Sequence, residues 1–395
     1  MKELTKIILK STKEKSLLRF HPWIFSGAIK SIAGNVSEGD LVELTDNNGK
    51  FLALGHYQIG SIAVRVLSFE KMIPGYDFWR SKIEAAFNLR KALGLIDNAE
   101  TDIFRLVNAE GDFMPGLIVD IYGGTAVVQM HSIGMYLIKD QILKALLDVL
   151  GNRITAVYDK SAETLPFKAA IKGENGYLFG NHSDLEAREH GNRYAIDWEE
   201  GQKTGFFIDQ RENRILLQQY ACSRSVLNMF CYSGGFSIAA LRGNARLVHS
   251  VDSSKKAIEL TEKNVSINFS GTNSHQAFAM DAFEYLADIK DSYDLIILDP
   301  PAFAKHNSAL NNALQGYKKL NQKAFEQIQT GGILFTFSCS QVVTKENFRK
   351  SVFAAAANAK RKVSILHQLS QPADHPVSIY HPEGEYLKGL VLYVT

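Results

Sequence analysis

The sequence predicts an α/β fold: a mainly parallel, helix-covered sheet in the last half, preceded by a small β domain and an α+β segment. Strand-like and helix-like segments alternate regularly from about residue 190 onward, the pattern of strands joined by helical crossovers. Short alternating strands fill the first 70 residues instead, and the total of 395 residues exceeds one ordinary domain. The chain therefore divides into 1–70, 71–190 and 191–395.

In the first division, LVEL (41–44) and KFLALGHY (50–57) flank a turn containing Asn47, Asn48 and Gly49, which is a β-hairpin pattern. IAVRVLSF (62–69) closes it, and Pro74 and Gly75 mark the join. The middle division has a helix over 78–95, strands over 113–124 and 125–131, and an amphipathic helix over 136–151. It shows no recognisable chemistry. In the last division SVLNMF is a strand, CYSGG a turn, and FSIAALRG a helix ended by Gly243. RLVHSVD comes next, with Ser253 or Ser254 as cap of the helix KKAIELTEKNVSIN. HQAFAMD, YDLIILD and GGILFTFS are further strands, and VSILHQL and LKGLVLYVT, joined by a proline-containing loop, make an antiparallel edge.

Composition narrows the function classes. No stretch approaches the roughly 18 uninterrupted apolar residues of a membrane span, and the lysine-rich start lacks an export signal's apolar run. A cytoplasmic protein is expected. Cys222, Cys231 and Cys339 form no C-x-x-C pair, so neither disulfides nor a metal site is expected. The net charge of +2 says little, because an enzyme acting on nucleic acid needs basic surface only locally. Two basic runs do stand out: the first thirty residues, with Lys15 and Arg19, and residues 305–362, with Lys318, Lys319 and Arg349. A single run reads as a solvated face, whereas two in separate domains point to a polyanion.

In such sheets a ligand lies beyond the carboxyl ends of the strands, near the reversal of strand order. Phe230 ends the first strand and Cys231, Tyr232, Ser233, Gly234 and Gly235 follow it, where glycines let a ligand approach the backbone. Asp252 and Ser253 stand after the second, at the place where a carboxylate accepts from ribose hydroxyls; Asp281 and Ala282 stand after the third, and Asp299 after the fourth. An acid at a strand end is often only a helix cap, but this series describes a nucleoside pocket. The turn S-G-G-F-S lacks the G-x-G-x-x-G spacing that seats a pyrophosphate, which favours S-adenosylmethionine over NAD. After Asp299 come Pro300, Pro301, Ala302 and Phe303, a loop suited to holding a flipped-out base beside the methyl donor, with Phe303 stacking on it; the alternative is a rigid loop with Phe303 in the core. Cytosine C5 is too weak a nucleophile to take a methyl group until a thiolate adds to C6, and Cys339 at the end of FTFSCS is placed for that attack. Elsewhere a cysteine is often just a small buried residue, the reading given to Cys222, while Cys231 lines the cofactor pocket without reacting.

Taken together, LNMFCYSGGFS, VDSSKKAIEL, DAFEYL, LIILDPPAFAK and FTFSCS resemble the bacterial large-subunit ribosomal RNA cytosine-C5 methyltransferase family. The likeness covers nearly the whole chain, because KSLLRFHPWIFSGAI and the hairpin are similar to that family's RNA-binding PUA β-barrel, and RLVNAEGDFMPGLIVD and KTGFFIDQRENR to its later parts. It implies a Rossmann-like class I methyltransferase domain behind a PUA-like domain and an α+β middle domain. It further implies Cys339 as nucleophile, Asp299 steadying the cytosine, Asp252 and Asp281 holding ribose and adenine, and ribosomal RNA as partner. Other RNA cytosine-C5 enzymes carry a second cysteine after the proline of the D-P loop; here Pro301 and Ala302 stand instead, so the base that removes the C5 proton is unidentified. Asp374 and His375 are candidates, with a loop role as the alternative. A purine N-methyltransferase and a non-catalytic RNA-binding assembly factor are the rival readings, and a homodimer is left open.

Overall fold

The computed structural model describes residues 4–166, 171, 173–181, 186–289 and 292–395. The chain forms two compact units: Met1–Gly191 with Ile196–Ile208 and Ala373–Gly384, and Asn192–Ala195 with Asp209–Pro372 and Glu385–Thr395. Among the described residues no helix is long and apolar enough to cross a membrane.

The first unit contains a six-stranded sheet in the order Trp23–Phe25, Ile62–Ser68, Phe51–Tyr57, Leu41–Thr45, Thr5–Leu9, Ile29–Ala33. The hairpin forms as expected, with Val42 opposite Gly55, and the Asp46 carboxylate accepts from the backbone N–H of Asn48 and Lys50 to shape the turn. Alternating Ile7, Leu9, Val42, Leu44, Val64 and Val66 fill its core. A separate five-stranded sheet runs Gly176–Phe179, Ala156–Asp159, Thr125–Met130, Leu117–Tyr122, Ile103–Asn108, with helices Tyr76–Ala92 and Lys139–Leu150. Three of its strands go beyond those the sequence pattern predicts. In Ile103–Asn108 the reason is physical: Arg105 interrupts the apolar run, yet its guanidinium binds the fully buried Asp120 carboxylate at 2.7 and 2.9 Å.

The second unit is built on one sheet of seven strands: β1 (Ser225–Met229), β2 (Leu247–Asp252), β3 (His275–Ala279), β4 (Leu295–Leu298), β5 (Gly332–Ser338), β6 (Val363–Leu369) and β7 (Lys388–Val394). Their spatial order is β3-β2-β1-β4-β5-β7-β6, all parallel except β7, which runs antiparallel to both neighbours. β1, β4 and β5 are buried along their whole length, hence their near-continuous apolar runs. The helices are α1 (Arg211–Tyr220), α2 (Gly235–Arg242), α3 (Lys255–Asn268), α4 (Ala282–Tyr285), α5 (Leu310–Gln327) and α6 (Lys345–Asn358). α5 and α6 pack on each other and send Tyr317, Leu320, Phe325 and Phe348 into a core shared with Met229, Leu298 and Leu334. Strand order reverses at β1, and the register Met229–Leu298–Thr336 brings the ends of β1, β4 and β5 to one edge.

Candidate active site

The turn after β1 is held in an unusual shape. Phe230 and Tyr232, neither of them glycine, have φ of 60° and 47°, and Gly234 comes next at 78°. Two side chains of α3 fasten the turn: Thr261 Oγ1 donates to the Tyr232 carbonyl at 2.9 Å, and Asn264 Nδ2 to the Ser233 carbonyl at 2.9 Å. A Cβ on Gly234 would lie 2.9 Å from Thr261 Cγ2, which explains glycine there on two counts. Ser233 and Gly235 are buried at the start of α2. The half-buried Asp252 accepts from Tyr232 N–H at 3.1 Å and Ser254 N–H at 2.9 Å, so its carboxylate is fixed by the same turn. Of the two serines considered as cap for α3, both exposed, Ser254 performs it, accepting from Ala257 N–H.

At the end of β3 the acid serves as a cap. Exposed Asp281 accepts from Phe283 and Glu284 N–H at 2.8 and 3.2 Å, and Ala282 is buried in the core.

Asp299, after β4, stands in a different field. Gln210 Nε2 donates to its Oδ2 at 3.0 Å, and Asn213 in turn holds Gln210. Burial and then the neighbouring Asp209 carboxylate push the Asp299 carboxyl up to about 7, against the pull of Gln210 and Arg214. Asp209 accepts from the Tyr386 hydroxyl at 2.8 Å through Oδ2, while its buried Oδ1 has no partner among the described residues. The segment KTGFFIDQRENR contributes to the family resemblance, but the sequence pattern alone gives Asp209, Gln210 and Arg214 no place in the site. The available signal was a run of polar residues opening a helix whose Arg211, Asn213 and Arg214 prove buried. Pro300 is buried, and the half-buried Phe303 ring lies 4.6 Å from Tyr317, tilted by 33°, with Gly316 beneath it. One face of Phe303 is thus already covered by protein.

Cys339 comes directly after β5 and is half-exposed between buried Ser338 and Ser340. Ser338 Oγ donates to the Tyr317 hydroxyl at 2.9 Å, and Ser340 Oγ to the Ala304 carbonyl at 2.5 Å, tying the loops after β4 and β5 together. Burial raises Tyr317 to about 12, with smaller contributions from Cys339 and Asp299, so both of those groups act on one hydroxyl. Cys231 is buried against Thr261 Oγ1 at 3.5 Å, and burial pushes its thiol up to about 12. Cys222 is exposed.

The remaining candidates lie apart from these strand ends in the chain. Lys15 and Arg19 are exposed on two short 3-10 turns of the first unit. In the second unit Lys318 is half-buried and Lys319 exposed on α5, with Arg349 exposed on α6. Asp374 and His375 are buried in the first unit, where the Asp374 carboxylate accepts from Arg105 N–H at 2.9 Å and its carbonyl from Arg90 at 2.6 Å. His375 Nδ1 lies 3.1 Å from the Asp374 carboxylate.

Residues 7–69 match the family described as a PUA-like domain, and residues 175–378 the family described as S-adenosylmethionine-dependent methyltransferase. A Tolumonas auensis protein named ribosomal RNA large subunit methyltransferase I is 37% identical over 396 residues, covering 98% of this chain and 99% of that one. The chain belongs to the S-adenosylmethionine-dependent methyltransferase family. Among solved structures, a methyltransferase from Streptococcus mutans superposes on the fold with a TM-score of 0.84 at 25% identity, over 98% of this chain and 99% of that chain. A methyltransferase complexed with S-adenosylhomocysteine gives 0.85 at 25% identity over the same shares. The α/β architecture, the PUA-like N-terminus and the cofactor expected from the sequence are those of this methyltransferase.

Proposed function

We propose that this methyltransferase forms 5-methylcytosine in large-subunit ribosomal RNA, with Cys339 as covalent nucleophile and Asp299 steadying the base. The observation that carries the reading is the half-exposed Cys339 just after β5, beside the strand that Asp299 follows. The RNA class rests on the name of the Tolumonas relative and on the PUA-like domain.

The residues present fit the cofactor. Its amino group needs an acceptor, and Asp209 offers a buried carboxylate oxygen without a partner among the described residues. Asp252 would take the ribose hydroxyls and Asp281 the adenine edge, while Phe230, Tyr232, Ser233, Gly234 and Gly235 line the backbone approach, with Ser253 and Ala282 beside the two acids. Bound S-adenosylmethionine supplies an electrophilic methyl group. The chain's own part is to make C5 of cytosine a nucleophile. The Cys339 thiolate adds to C6, forming an S–C6 bond and moving electron density onto C5. Asp299, half-protonated near neutrality, can donate a hydrogen bond to N3 and so accept the charge that the attack pushes into the ring. Once C5 carries the methyl group, loss of its proton expels the thiolate and restores the double bond. Pro300 keeps the loop rigid and Phe303 offers its uncovered face to the base. We assign residues 1–70 to RNA binding, 71–190 to a middle domain and 191–395 to catalysis, with Lys15, Arg19, Lys318, Lys319 and Arg349 meeting phosphates in the cytoplasm.

RNA carrying 5-fluorocytosine at the target position tests the chemistry, because fluorine cannot leave as a proton does. Denaturing electrophoresis should show a protein–RNA adduct with the unaltered enzyme and with Cys231→Ala, and none with Cys339→Ala. Normal methylation by Cys339→Ala would overturn covalent catalysis and turn attention to a purine nitrogen held by Asp299 and Phe303.

A further inference from the structure

β7 enters the sheet from the far end of the chain and pairs antiparallel with β5, placing Lys388 directly opposite Ser338, one residue before Cys339. The Lys388 side chain is buried, at 4% exposure. Its Nζ donates to the Ser340 carbonyl at 2.6 Å, the residue just after Cys339, and among the described residues it forms no salt bridge. A buried ammonium with only a carbonyl for company is costly, so such groups as a rule face an anion. The anion that the strand register offers is the thiolate of Cys339.

We propose that Lys388 is a positioning residue for methyl transfer: its ammonium, fixed on the Ser340 carbonyl, holds the Cys339 sulfur as a thiolate for attack and again when it is expelled. The thiol proton passes to solvent, and no electron transfer is involved. The proposal rests on the reading of Cys339 as nucleophile. Burial pulls Lys388 down to about 8, and Cys339 is the first charge that pulls it back up. At pH 7 the ammonium therefore persists, and it is lost above about 8. The other titratable groups facing the pair are Lys345 at the start of α6, Glu385 before β7 and Tyr317 on α5, which Asp299 after β4 faces in turn. Lys345 and Glu385 bind each other at 2.7 Å, which leaves Lys388 as the buried cation.

The test uses the full chain and a readout that does not need turnover. The rate of Cys339 alkylation by iodoacetamide, monitored by peptide mass, is measured against pH for the unaltered protein, Lys388→Met and Lys388→Gln. Both variants should move the midpoint upward by roughly one pH unit or more, while Cys222, far along the chain, keeps its profile. Lys388→Gln retains a donor for the Ser340 carbonyl, so it separates loss of charge from loss of support if the methionine variant folds poorly. An unmoved midpoint in a folded variant overturns the proposal. The 5-fluorocytosine experiment on the unaltered enzyme distinguishes the two levels: absence of its adduct removes the nucleophile reading, whereas an adduct with an unmoved midpoint removes Lys388 alone.

Discussion

Cys231 and Cys339 stand at the carboxyl edge of one sheet, after β1 and after β5, and their surroundings have little in common. Cys231 is buried against Thr261, and burial makes its thiol hard to ionise. Cys339 is half-exposed, with a lysine held on the next residue's carbonyl. The acids after β2 and β4 differ in the same way. Asp252 receives two backbone N–H donors, whereas Asp299 receives one side-chain donor and faces the Asp209 carboxylate. The β1–β2 end is therefore built to fix a carboxylate in place and keep a thiol neutral, which suits holding a ligand. The β4–β5 end keeps a carboxyl near neutrality and exposes its thiol, which suits chemistry.

The largest expected effect breaks this contrast at the cysteines. Cys339→Ala should lower methyl transfer by at least about 10³-fold, the scale of losing a covalent nucleophile, while Cys231→Ala should stay within a few-fold, as read by tritium transfer from labelled cofactor to RNA. Equal losses in both would mean that the β1 thiol reacts as well. Next in size are the acids after β2 and β3. Asp252→Ala removes a charged acceptor worth about 1.5–3 kcal/mol, or roughly 10- to 150-fold in cofactor affinity by titration calorimetry. Asp281→Ala should cost less, since that carboxylate is exposed and already occupied as a helix cap. The reverse ranking would shift the binding contact from β2 to β3.

A smaller effect separates the two acids through stability. The folded Asp299 carboxyl is raised from 3.8 to about 7, so the folded state keeps its proton where the unfolded chain has lost it. The linked stabilisation is present below pH 3.8 and is lost as pH rises through about 7. Asp299→Asn cannot ionise, so at pH 8 it should melt about 2–4 °C above the unaltered protein while methylating poorly, and the gain should vanish at pH 4. Asp252→Asn trades a well-bonded carboxylate for an amide and should melt lower at pH 8. A decrease for both in differential scanning calorimetry would show that burial and the Asp209 carboxylate do not strain Asp299.

Much of this edge was legible because strands buried on both faces announce themselves as apolar runs, and the residues just beyond each run can be picked out by position alone. SVLNM, LIIL and GILFTFS located the ends that carry Tyr232, Asp299 and Cys339. The hidden part of the site reaches it from elsewhere in the chain. Asp209 and Gln210 precede α1, before the first strand of the sheet, and Lys388 arrives through an antiparallel register that no local pattern encodes. Ser254 rather than Ser253 as cap, and Phe303 against Tyr317, depend on backbone angles and side-chain packing that residue type leaves open. The strand Ile103–Asn108 was lost for the converse reason, a buried ion pair that breaks the apolar period.

The smallest expected effect compares basic residues of the two units, each through its own salt dependence. Lys15 and Arg19 lie exposed on turns of the PUA-like region, and Lys319 and Arg349 lie exposed on α5 and α6. Parts of the second run are neutralised, since Lys350 binds Glu346 at 2.6 Å and Lys345 binds Glu385 at 2.7 Å. Each lysine or arginine that meets a phosphate releases a counterion, contributing about 0.7–0.9 to the slope of log affinity against log salt. Lys15→Ala with Arg19→Ala should therefore flatten that slope by about 1.5, and Lys319→Ala with Arg349→Ala by a similar amount, in filter binding to protein-free large-subunit RNA. Because these contacts position the strand without touching the base, cofactor affinity should not change in either pair. A flattened slope in the second pair only would assign RNA capture to the second unit and leave the PUA-like region another task.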